Sequence, residues 1–397
     1  MARLIFRLAF SILLILPFTI KAQNGVITGK VTAQGGANPV VKASVFLNNA
    51  SYGTATADDG TFALRGVKPG QYDLVVSVLG FEEYTQKVQV NNNTLDLKIS
   101  LTPKVMMMRE VVITSNADWK KNYEQFKKEF IGNDDAARQC KVANPRILNL
   151  SYTRKTQTLE ASTDEFLEVA NYALGYKVKF LLADFSSNNI SGIISYAGKA
   201  LFEDLPGSAE QKKKWKARRD EAYYGSARHF YRSLYKDRLQ QEGFEVYDLM
   251  RSPDPNRAPE WLIKKKIKQF NGFNRDSAMF WINMENMPKW YQEHLTRPNL
   301  AASAVLRKTE QDGIYVITFP HYLYVMYTKR FEKDNFKDVY RPLDMPNYEA
   351  SIITLSGNFA AFDMNGTVVA NAPLVEGTWS KSKLAAMLPV DYEPSDK

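Results

Sequence analysis

The chain has 397 residues, of which 45% are hydrophobic, 12% aromatic and 24% charged, and its formal net charge is +9. This balance is typical of a folded globular protein and excludes disordered and collagen-like chains. A single cysteine, Cys140, and three histidines exclude an internal disulfide framework and any cysteine-rich zinc module. The length predicts two or three domains, each large enough to bury a hydrophobic core.

The first 22 residues have the pattern of a secretory signal peptide. Arg3 and Arg7 precede an almost purely apolar run over residues 8–20, and Ala22 is the small residue expected before a cleavage point. We therefore expect cleavage between Ala22 and Gln23 and an exported protein. The apolar run of about 13 residues is shorter than the about 20 needed to span a bilayer, and no later segment is long and apolar enough.

Residues 24–103 contain short apolar runs, spaced about ten residues apart and separated by turn residues. This spacing, without helical periodicity, predicts an all-β sandwich of about seven strands. The predicted strands are residues 26–32, 43–47, 53–57, 61–64, 72–78, 83–90 and 95–101. Alternation along the fifth strand places Tyr72, Leu74, Val76 and Val78 on the core side.

Several short motifs in this region have the order and spacing of a known domain. They are Gly29-Lys30-Val31, Ala43-Ser44-Val45, Gly53-Thr54-Ala55-Thr56, Asp59-Gly60-Thr61-Phe62, Pro69-Gly70-Gln71-Tyr72 and Gly80-Phe81. The region resembles the carboxypeptidase regulatory-like domain, a transthyretin-like β-sandwich that often begins secreted and surface proteins of Bacteroidota-type bacteria. The resemblance implies that fold and such a source. It implies no catalytic residues, because the domain is an accessory module of carboxypeptidases.

Residues 117–397 are predicted to form a larger α+β domain of unknown function, joined to the sandwich by a linker or last strand over residues 104–116. Aromatic residues at steps of three and four predict an amphipathic helix over residues 117–131. Most later apolar runs are typical of strands, including residues 278–284. A short helix is predicted over residues 381–388.

A helical block is predicted over residues 208–241, with a break near Gly225 and with Ser226 as the cap of the next helix. The segment around the break resembles a stretch of secreted Bacteroidota proteins that carry the same first domain, and this resemblance implies no activity. Cationic side chains near a helix start are suited to an anionic group or partner. The candidate binding residues are Arg219, Arg228, His229 and Arg232. The alternative is that these side chains tie down a neighbouring loop.

No catalytic, cofactor-binding or metal-binding residue is assigned. A zinc carboxypeptidase needs a His and a Glu three residues apart, and His229, His294 and His321 all lack that spacing. Cys140 has basic neighbours that favour a lowered pKa, but no base can be assigned to it, so a structural thiol is expected. Paired carboxylates for glycoside hydrolysis stay open, and a pocket around His229 with two carboxylates within about 10 Å of each other would favour an enzyme.

These patterns predict an exported protein of the bacterial envelope, periplasmic or associated with the outer membrane or cell surface, that binds a partner without catalysis. Loss of Arg3, Arg7 and Lys21 with the signal peptide lowers the formal charge from +9 to +6, and the surplus lies beyond residue 103. An envelope protein or an anionic polymer is therefore the expected partner, and nucleic acid is not. Two alternatives stay open: a hydrolase of envelope glycan or peptide, and a small outer-membrane barrel, which the charge density disfavours.

Overall fold

The computed structural model describes residues 24–36, 38–104, 116–336 and 339–395, with Asn116 described by its backbone alone. The predicted signal peptide lies outside these residues, and so does the predicted linker apart from its two end residues. A seven-stranded sheet domain is followed by a larger α+β region, which confirms the predicted fold class. Every helix in the described part of the chain is too short or too polar to span a bilayer.

The first region is a β-sandwich made of two small sheets. Its strands are β1 (Gly25–Ala33), β2 (Ser44–Leu47), β3 (Gly53–Ala55), β4 (Thr61–Val67), β5 (Gly70–Ser77), β6 (Tyr84–Val90) and β7 (Thr94–Leu101). One sheet has the order β4-β1-β7, with β1 parallel to β7, and the other has the order β3-β2-β5-β6. Ile27, Val45 and Leu74 are fully buried between the sheets. All seven predicted strands are confirmed, with shifts of a few residues at their ends.

Strand β5 is buried on both faces, which alternation alone does not predict. Leu74 and Val76 point into the sandwich core as expected. Val75 points the other way and packs with Phe46 and with Leu201 of the α+β region. The outer face of this sheet is therefore covered by the α+β region. Burial on both faces explains why the residues from Leu74 to Val76 are all apolar instead of alternating with polar ones.

The α+β region begins with a helix packed on a six-stranded sheet. The elements are α1 (Asn116–Phe126), a π-helical turn (Lys127–Ile131), α2 (Asp135–Arg138), β8 (Cys140–Val142), β9 (Asn149–Thr153), β10 (Thr158–Ser162), β11 (Leu167–Asn171), β12 (Tyr176–Asn188) and β13 (Ile193–Asp204). Strand β12 pairs with β13 on one edge and with β11 and β10 on the other. Phe126 and Phe130 are fully buried and meet Phe185 edge to face. The predicted aromatic helix is confirmed, and its aromatic face is a core face.

Three helices follow the six-stranded sheet: α3 (Ala209–Tyr223), α4 (Ala227–Tyr235) and α5 (Leu239–Glu242). Helix α3 begins with a capping box, in which Ser208 and Gln211 each accept a hydrogen bond from the other's backbone N–H. Gly225, at φ 82°, turns the chain between α3 and α4. The Ser226 hydroxyl accepts from the His229 N–H at 3.2 Å, which confirms the predicted break and cap.

The rest of the chain forms two sheets that share a core with α4. The elements are β14 (Phe244–Pro253), α6 (Glu260–Phe270), α7 (Arg275–Asn286), β15 (Trp290–Leu295), α8 (Ala302–Val305), β16 (Leu306–Lys308), β17 (Ile314–Ile317), β18 (Tyr322–Phe331), β19 (Tyr348–Thr354), β20 (Ala360–Asp363), β21 (Val368–Ala370) and β22 (Leu374–Gly377). The sheet orders are β15-β14-β18-β19-β22 and β16-β17-β20-β21. Phe230 of α4 and Trp379 lie 5.3 Å apart in this core.

The strand predicted over residues 278–284 is wrong, because these residues belong to helix α7. The Asn274 side chain accepts from the Ser277 N–H at 3.0 Å and caps a helix that begins at Arg275. The apolar residues of this segment are aromatic enough to be typical of a strand, but the cap that precedes them decides the local structure.

The helix predicted over residues 381–388 is also wrong, since the chain there makes only short 3₁₀ turns. An α-helix would use the N–H of residue 389 to satisfy the Ala385 carbonyl, and Pro389 has no N–H. The buried Asn171 amide donates to that carbonyl instead, at 2.9 Å. A long-range side chain therefore replaces the missing helical hydrogen bond.

Candidate binding cleft

The first predicted binding residue, Arg219, lies on α3 and holds this helix against the six-stranded sheet. Its guanidinium donates to the carbonyls of Leu174 and Gly175 at 2.7 and 3.0 Å, and to Asp204 at 2.8 Å. It also stacks 3.6 Å above the Tyr176 ring. Arg219 is thus fixed by its neighbours on the strand side of α3.

Arg228 lies on α4 and is largely enclosed. One guanidinium nitrogen donates to the Pro389 carbonyl at 2.7 Å. Burial lowers the pKa of Arg228 to about 10, and the neighbouring charge of Arg232 acts in the same direction. Asp363 provides an opposing negative charge, although burial raises the pKa of its own carboxyl. The structure therefore places two cations within one turn of helix, in a partly dehydrated setting.

His229 is buried, with 3% of its surface exposed, and both ring nitrogens have protein partners. The Gly225 N–H donates to Nδ1 at 3.1 Å, so the ring proton lies on Nε2. Nε2 is 3.1 Å from the Glu242 carboxylate. The imidazole packs against Tyr223 and Phe244. This arrangement fixes the turn before α4 and orients Glu242.

Arg232 is buried and bonds to three backbone carbonyls from distant parts of the chain. It donates to Asn365 at 3.0 Å, to Val390 at 2.7 Å and to Tyr392 at 3.3 Å. Its guanidinium also lies 5.6 Å from the centre of the Tyr223 ring. Arg232 therefore ties the hairpin between β20 and β21 to the residues near the end of the described chain.

Residues 389–395, here called the tail segment, connect the sandwich to α3 and α4. On the sandwich side, the Val390 N–H donates to Asn49 at 2.6 Å, and Asp391 accepts from the Ser51 N–H at 2.8 Å. On the helix side, the Tyr392 hydroxyl donates to Asp220 at 2.6 Å. The tail segment is thus bonded to both regions of the protein at once.

A cleft of about 580 Å³ opens where the sandwich, α4, α5 and the tail segment meet. Gly70 and Gln71 form its sandwich wall, and Pro394 lies on the tail side. His229 and Arg232 line it, whereas Arg219 and Arg228 do not. The structure therefore brings two of the four predicted residues into a shared cavity and uses the other two to position the elements around it.

Three further cations line the cleft, and none of them is among the predicted residues. They are Lys236, Arg238 and Lys329, and all three are exposed. Lys236 lies 5.7 Å from the centre of the Tyr235 ring, and Lys329 donates to the Gln241 carbonyl at 3.0 Å. Lys236 and Arg238 flank a sharp turn at Asp237, at φ 54°, just after α4. A basic pair at the end of a predicted helix is the sequence signal that would have indicated them.

Two carboxylates, Glu242 and Glu393, also line this cleft. Glu242 is held by His229, and Glu393 is exposed on the tail segment. Together with Arg232, Lys236, Arg238 and Lys329, they give the cleft wall four cationic side chains and two anionic ones. The excess of cations suits the cleft to binding a polar anionic ligand. Its two carboxylates are the groups that the alternative, glycoside hydrolysis, would use.

Side chains of nucleophilic or metal-ligating types also lie outside this cleft, elsewhere in the described structure. Cys140 is buried, and burial raises the pKa of its thiol to about 12 and outweighs the opposite effect of Lys127, which fits the structural thiol expected. Its Sγ–H donates to the Ala136 carbonyl at 3.5 Å. In the described part of the chain, no three His, Cys, Asp or Glu side chains come together as metal ligands.

Comparison with known families gives a match near the start of the chain. The model of the CarboxypepD_reg-like domain matches residues 27–113. The sandwich is a CarboxypepD_reg-like domain. This confirms the resemblance read from its motifs, and it applies to under a quarter of the chain. No curated protein matches the sequence.

Solved structures resemble the chain only remotely. A chain of a cohesin–X-dockerin complex from Acetivibrio cellulolyticus is 18% identical, with a TM-score of 0.15. The alignment covers 28% of this protein and 79% of that chain. A Bacteroides fragilis protein of unknown function is 10% identical over 85% of this chain and 92% of its own, with a TM-score of 0.17. A DUF3823 family protein from Bacteroides ovatus is 13% identical over 46% of this chain and 100% of its own, with a TM-score of 0.15. Similarity at this level supports no argument about the function of residues beyond the CarboxypepD_reg-like domain.

Proposed function

We propose that this protein is an exported, non-enzymatic binding protein of the bacterial envelope, which holds an anionic polymer or an acidic protein segment in the cleft. The cleft itself supports this proposal most directly, because Lys236, Arg238 and Lys329 project into it from exposed positions. Exposed cations retain donors for a ligand, whereas the donors of Arg232 bond to backbone carbonyls.

The proposal gives the four residues predicted from the sequence two kinds of role. His229 and Arg232 form part of the cleft floor and face the ligand. Arg219 and Arg228 are positioning residues, which hold α3 and the tail segment in place through carbonyl groups. We further propose that residues 24–103 and 117–397 are the two domains, and that the cleft is formed only when they are docked.

Export and location belong to the same proposal. The segment over residues 1–22 supports cleavage before Gln23 and a place in the periplasm, or at the outer membrane or cell surface. Fractionation of cells, with the N-terminus of the recovered protein determined by mass spectrometry, tests this part. A cytosolic product that retains residues 1–22 refutes it.

Binding is tested with polygalacturonate as a defined anionic polymer and dextran as its neutral counterpart. We expect polygalacturonate to bind with an affinity that falls as salt is added, because the contacts are between exposed charges. The double variant Lys236→Gln and Arg238→Gln should weaken binding about tenfold, from roughly 0.7 kcal/mol for each lost charge contact. The control is Lys212→Gln with Lys213→Gln, which removes the same charge from the exposed face of α3. Equal binding by the two double variants would refute the role of the cleft.

A second function, hydrolysis of an envelope glycan, is favoured by one observation: Glu242 and Glu393 line the same cleft as His229. Two carboxyl groups on either side of a glycosidic bond are what such chemistry requires. The release of reducing ends from polygalacturonate, and its loss in Glu242→Gln and in Glu393→Gln, would establish an enzyme. Binding without such release supports the proposed binding role.

A further inference from the structure

Helices α6 and α7 pack against each other as a helical hairpin in the α+β region. The hairpin, residues 260–286, connects β14 to β15, which are paired antiparallel neighbours at one side of the five-stranded sheet. Within the two helices, Ile263 and Ala278 are the side chains that are buried. The hairpin therefore has a firm base and almost no core of its own.

The surface of this hairpin is unusually apolar. The large hydrophobic side chains that are exposed on it are Trp261, Phe273, Met279, Phe280 and Ile282. Phe273, in the turn between the helices, has 93% of its surface exposed. Single exposed apolar residues are ordinary, but this hairpin exposes five within 27 residues.

The same element has a net charge of +2, from five cations and the three carboxylates of Glu260, Asp276 and Glu285. Four lysines lie on α6, at positions 264, 265, 266 and 268, and Arg275 begins α7. Glu260 is already paired with Arg257 and Lys264. Lys265, Lys268 and Arg275 form no ion pair with any residue that the structure describes. Lys268 and Arg275 lie just before and just after the turn that exposes Phe273, so the apolar tip is bordered by cations.

We propose that this hairpin docks on an anionic lipid surface, with Phe273 inserted among the acyl chains and the lysines at the headgroup phosphates. Aromatic side chains and cations are both favoured at the membrane–water interface, where the rings lie at the boundary of the acyl chains and the cations contact the anionic headgroups. An anionic polysaccharide would satisfy the lysines but would leave Phe273 in water. A second copy of the hairpin would bring like charges together. The proposal concerns a surface separate from the cleft, and the two share no residue.

The test uses vesicles and the chain from Gln23 onward, because every contact described above is made by residues after that position. We expect cosedimentation with vesicles of equal parts phosphatidylcholine and phosphatidylglycerol, and little with phosphatidylcholine alone. Phe273→Ser should lower the partition coefficient about tenfold, from the loss of one buried aromatic side chain. Lys265→Gln together with Lys268→Gln should lower it more than tenfold, at about fivefold for each charge near the surface.

Two controls separate the hairpin from general surface properties. Leu79→Ser removes another exposed large apolar side chain, in the sandwich, and Lys212→Gln with Lys213→Gln removes two charges from α3. Both should bind the anionic vesicles like the unaltered protein. Binding equal in the hairpin variants and their controls overturns the proposal, and so does equal binding to neutral vesicles. Concentration-dependent dimerisation that Phe273→Ser abolishes, without vesicle binding, would overturn it in favour of a second copy.

Discussion

Arg232→Met should destabilise the protein even when no ligand is present. The change removes the donors that now bond to the carbonyls of Asn365, Val390 and Tyr392, and it leaves those carbonyls in a site where Arg232 is only 8% exposed. Methionine has a similar length and an apolar stem, so the cavity left behind is small. What is lost is therefore mainly hydrogen bonding.

The magnitude follows from the geometry of the three contacts. Two bonds, at 3.0 and 2.7 Å, have good length, and the third, at 3.3 Å, is long. At about 1.5–2 kcal/mol for a good hydrogen bond from a charged donor and less for the long one, their loss costs about 4 kcal/mol. Removing the Arg232 charge also relieves the repulsion that helps burial to lower the pKa of Arg228, which offsets a small part of this loss. The net loss in the free energy of unfolding is about 3–4 kcal/mol.

Urea unfolding followed by tryptophan fluorescence measures this loss. Trp379 packs on Phe230 of α4, and its indole N–H donates to the Gly225 carbonyl at 2.7 Å, so one of the six tryptophans that contribute to the emission lies in the affected region. The midpoint should fall by about 1 M urea. Arg238→Met is the control, because Arg238 is exposed, and a change there should stay within about 0.5 kcal/mol. Equal midpoints for the two variants would refute the assignment of Arg232 to the tail segment. An unchanged midpoint with lost polygalacturonate binding would assign Arg232 to the ligand instead.

Three further predictions follow from burial and charge. Cys140 should react with a thiol reagent at pH 8 at least a hundredfold more slowly than after unfolding in urea, because burial raises its pKa to about 12, and equal rates would contradict its burial. Asp220 is partly buried, which raises its pKa, but hydrogen bonds from Tyr392 and other donors outweigh this and leave the pKa below the ordinary value. The tail segment should therefore be fully attached above the unfolded-state pKa of about 4, and its attachment should weaken as the pH falls through the pKa of Asp220 in the folded protein. Protection of the Tyr392 amide from hydrogen exchange measures this attachment, and protection that weakens with rising pH would contradict the prediction. Leu201→Ala should lower the free energy of unfolding by about 2–4 kcal/mol and, in calorimetry, separate the melting of the CarboxypepD_reg-like domain from that of the α+β region. Ile193→Ala, on the exposed end of the same strand, should do neither, and similar melting of the two variants would refute the role of Leu201 in docking the two regions.

The sandwich was accessible to prediction because its information is local. Turn residues such as Gly60, at φ 80°, occupy positions where other side chains would be strained, and alternating residues such as Leu74 and Val76 specify one face. The cap at Ser226 and the break at Gly225 are equally local, and both were predicted correctly. Features that depend only on residues close in sequence can be predicted without knowing the three-dimensional structure.

The errors and omissions have a different physical origin. Residues 381–388 do not form an α-helix, because Pro389 has no N–H for the Ala385 carbonyl, and Asn171, more than 200 positions away, donates to that carbonyl instead. Arg232 has carbonyl partners because the tail segment and the β20–β21 hairpin converge on it, which spacing along the chain does not reveal. Lys236 and Arg238 became candidates only when the fold placed a cleft beside them. Contacts between distant segments thus decided the make-up of the site, whereas the wrong helix also had a local signal in Pro389.

The tail segment also imposes an order in time. Ser51 and Asp391 are bonded across 340 residues of chain, so the sandwich exists long before its partner is made. At roughly 5–20 residues per second, this part of the chain is synthesised on the order of 20–70 s before Val390 and its neighbours, ahead of the export proposed above. Asn48 and Asn49, on the waiting surface, carry polar side chains that water can satisfy meanwhile. Docking is thus a late event of biogenesis, and until Leu201 arrives the same surface exposes Phe46 and Val75, the apolar side chains by which it would attract other chains.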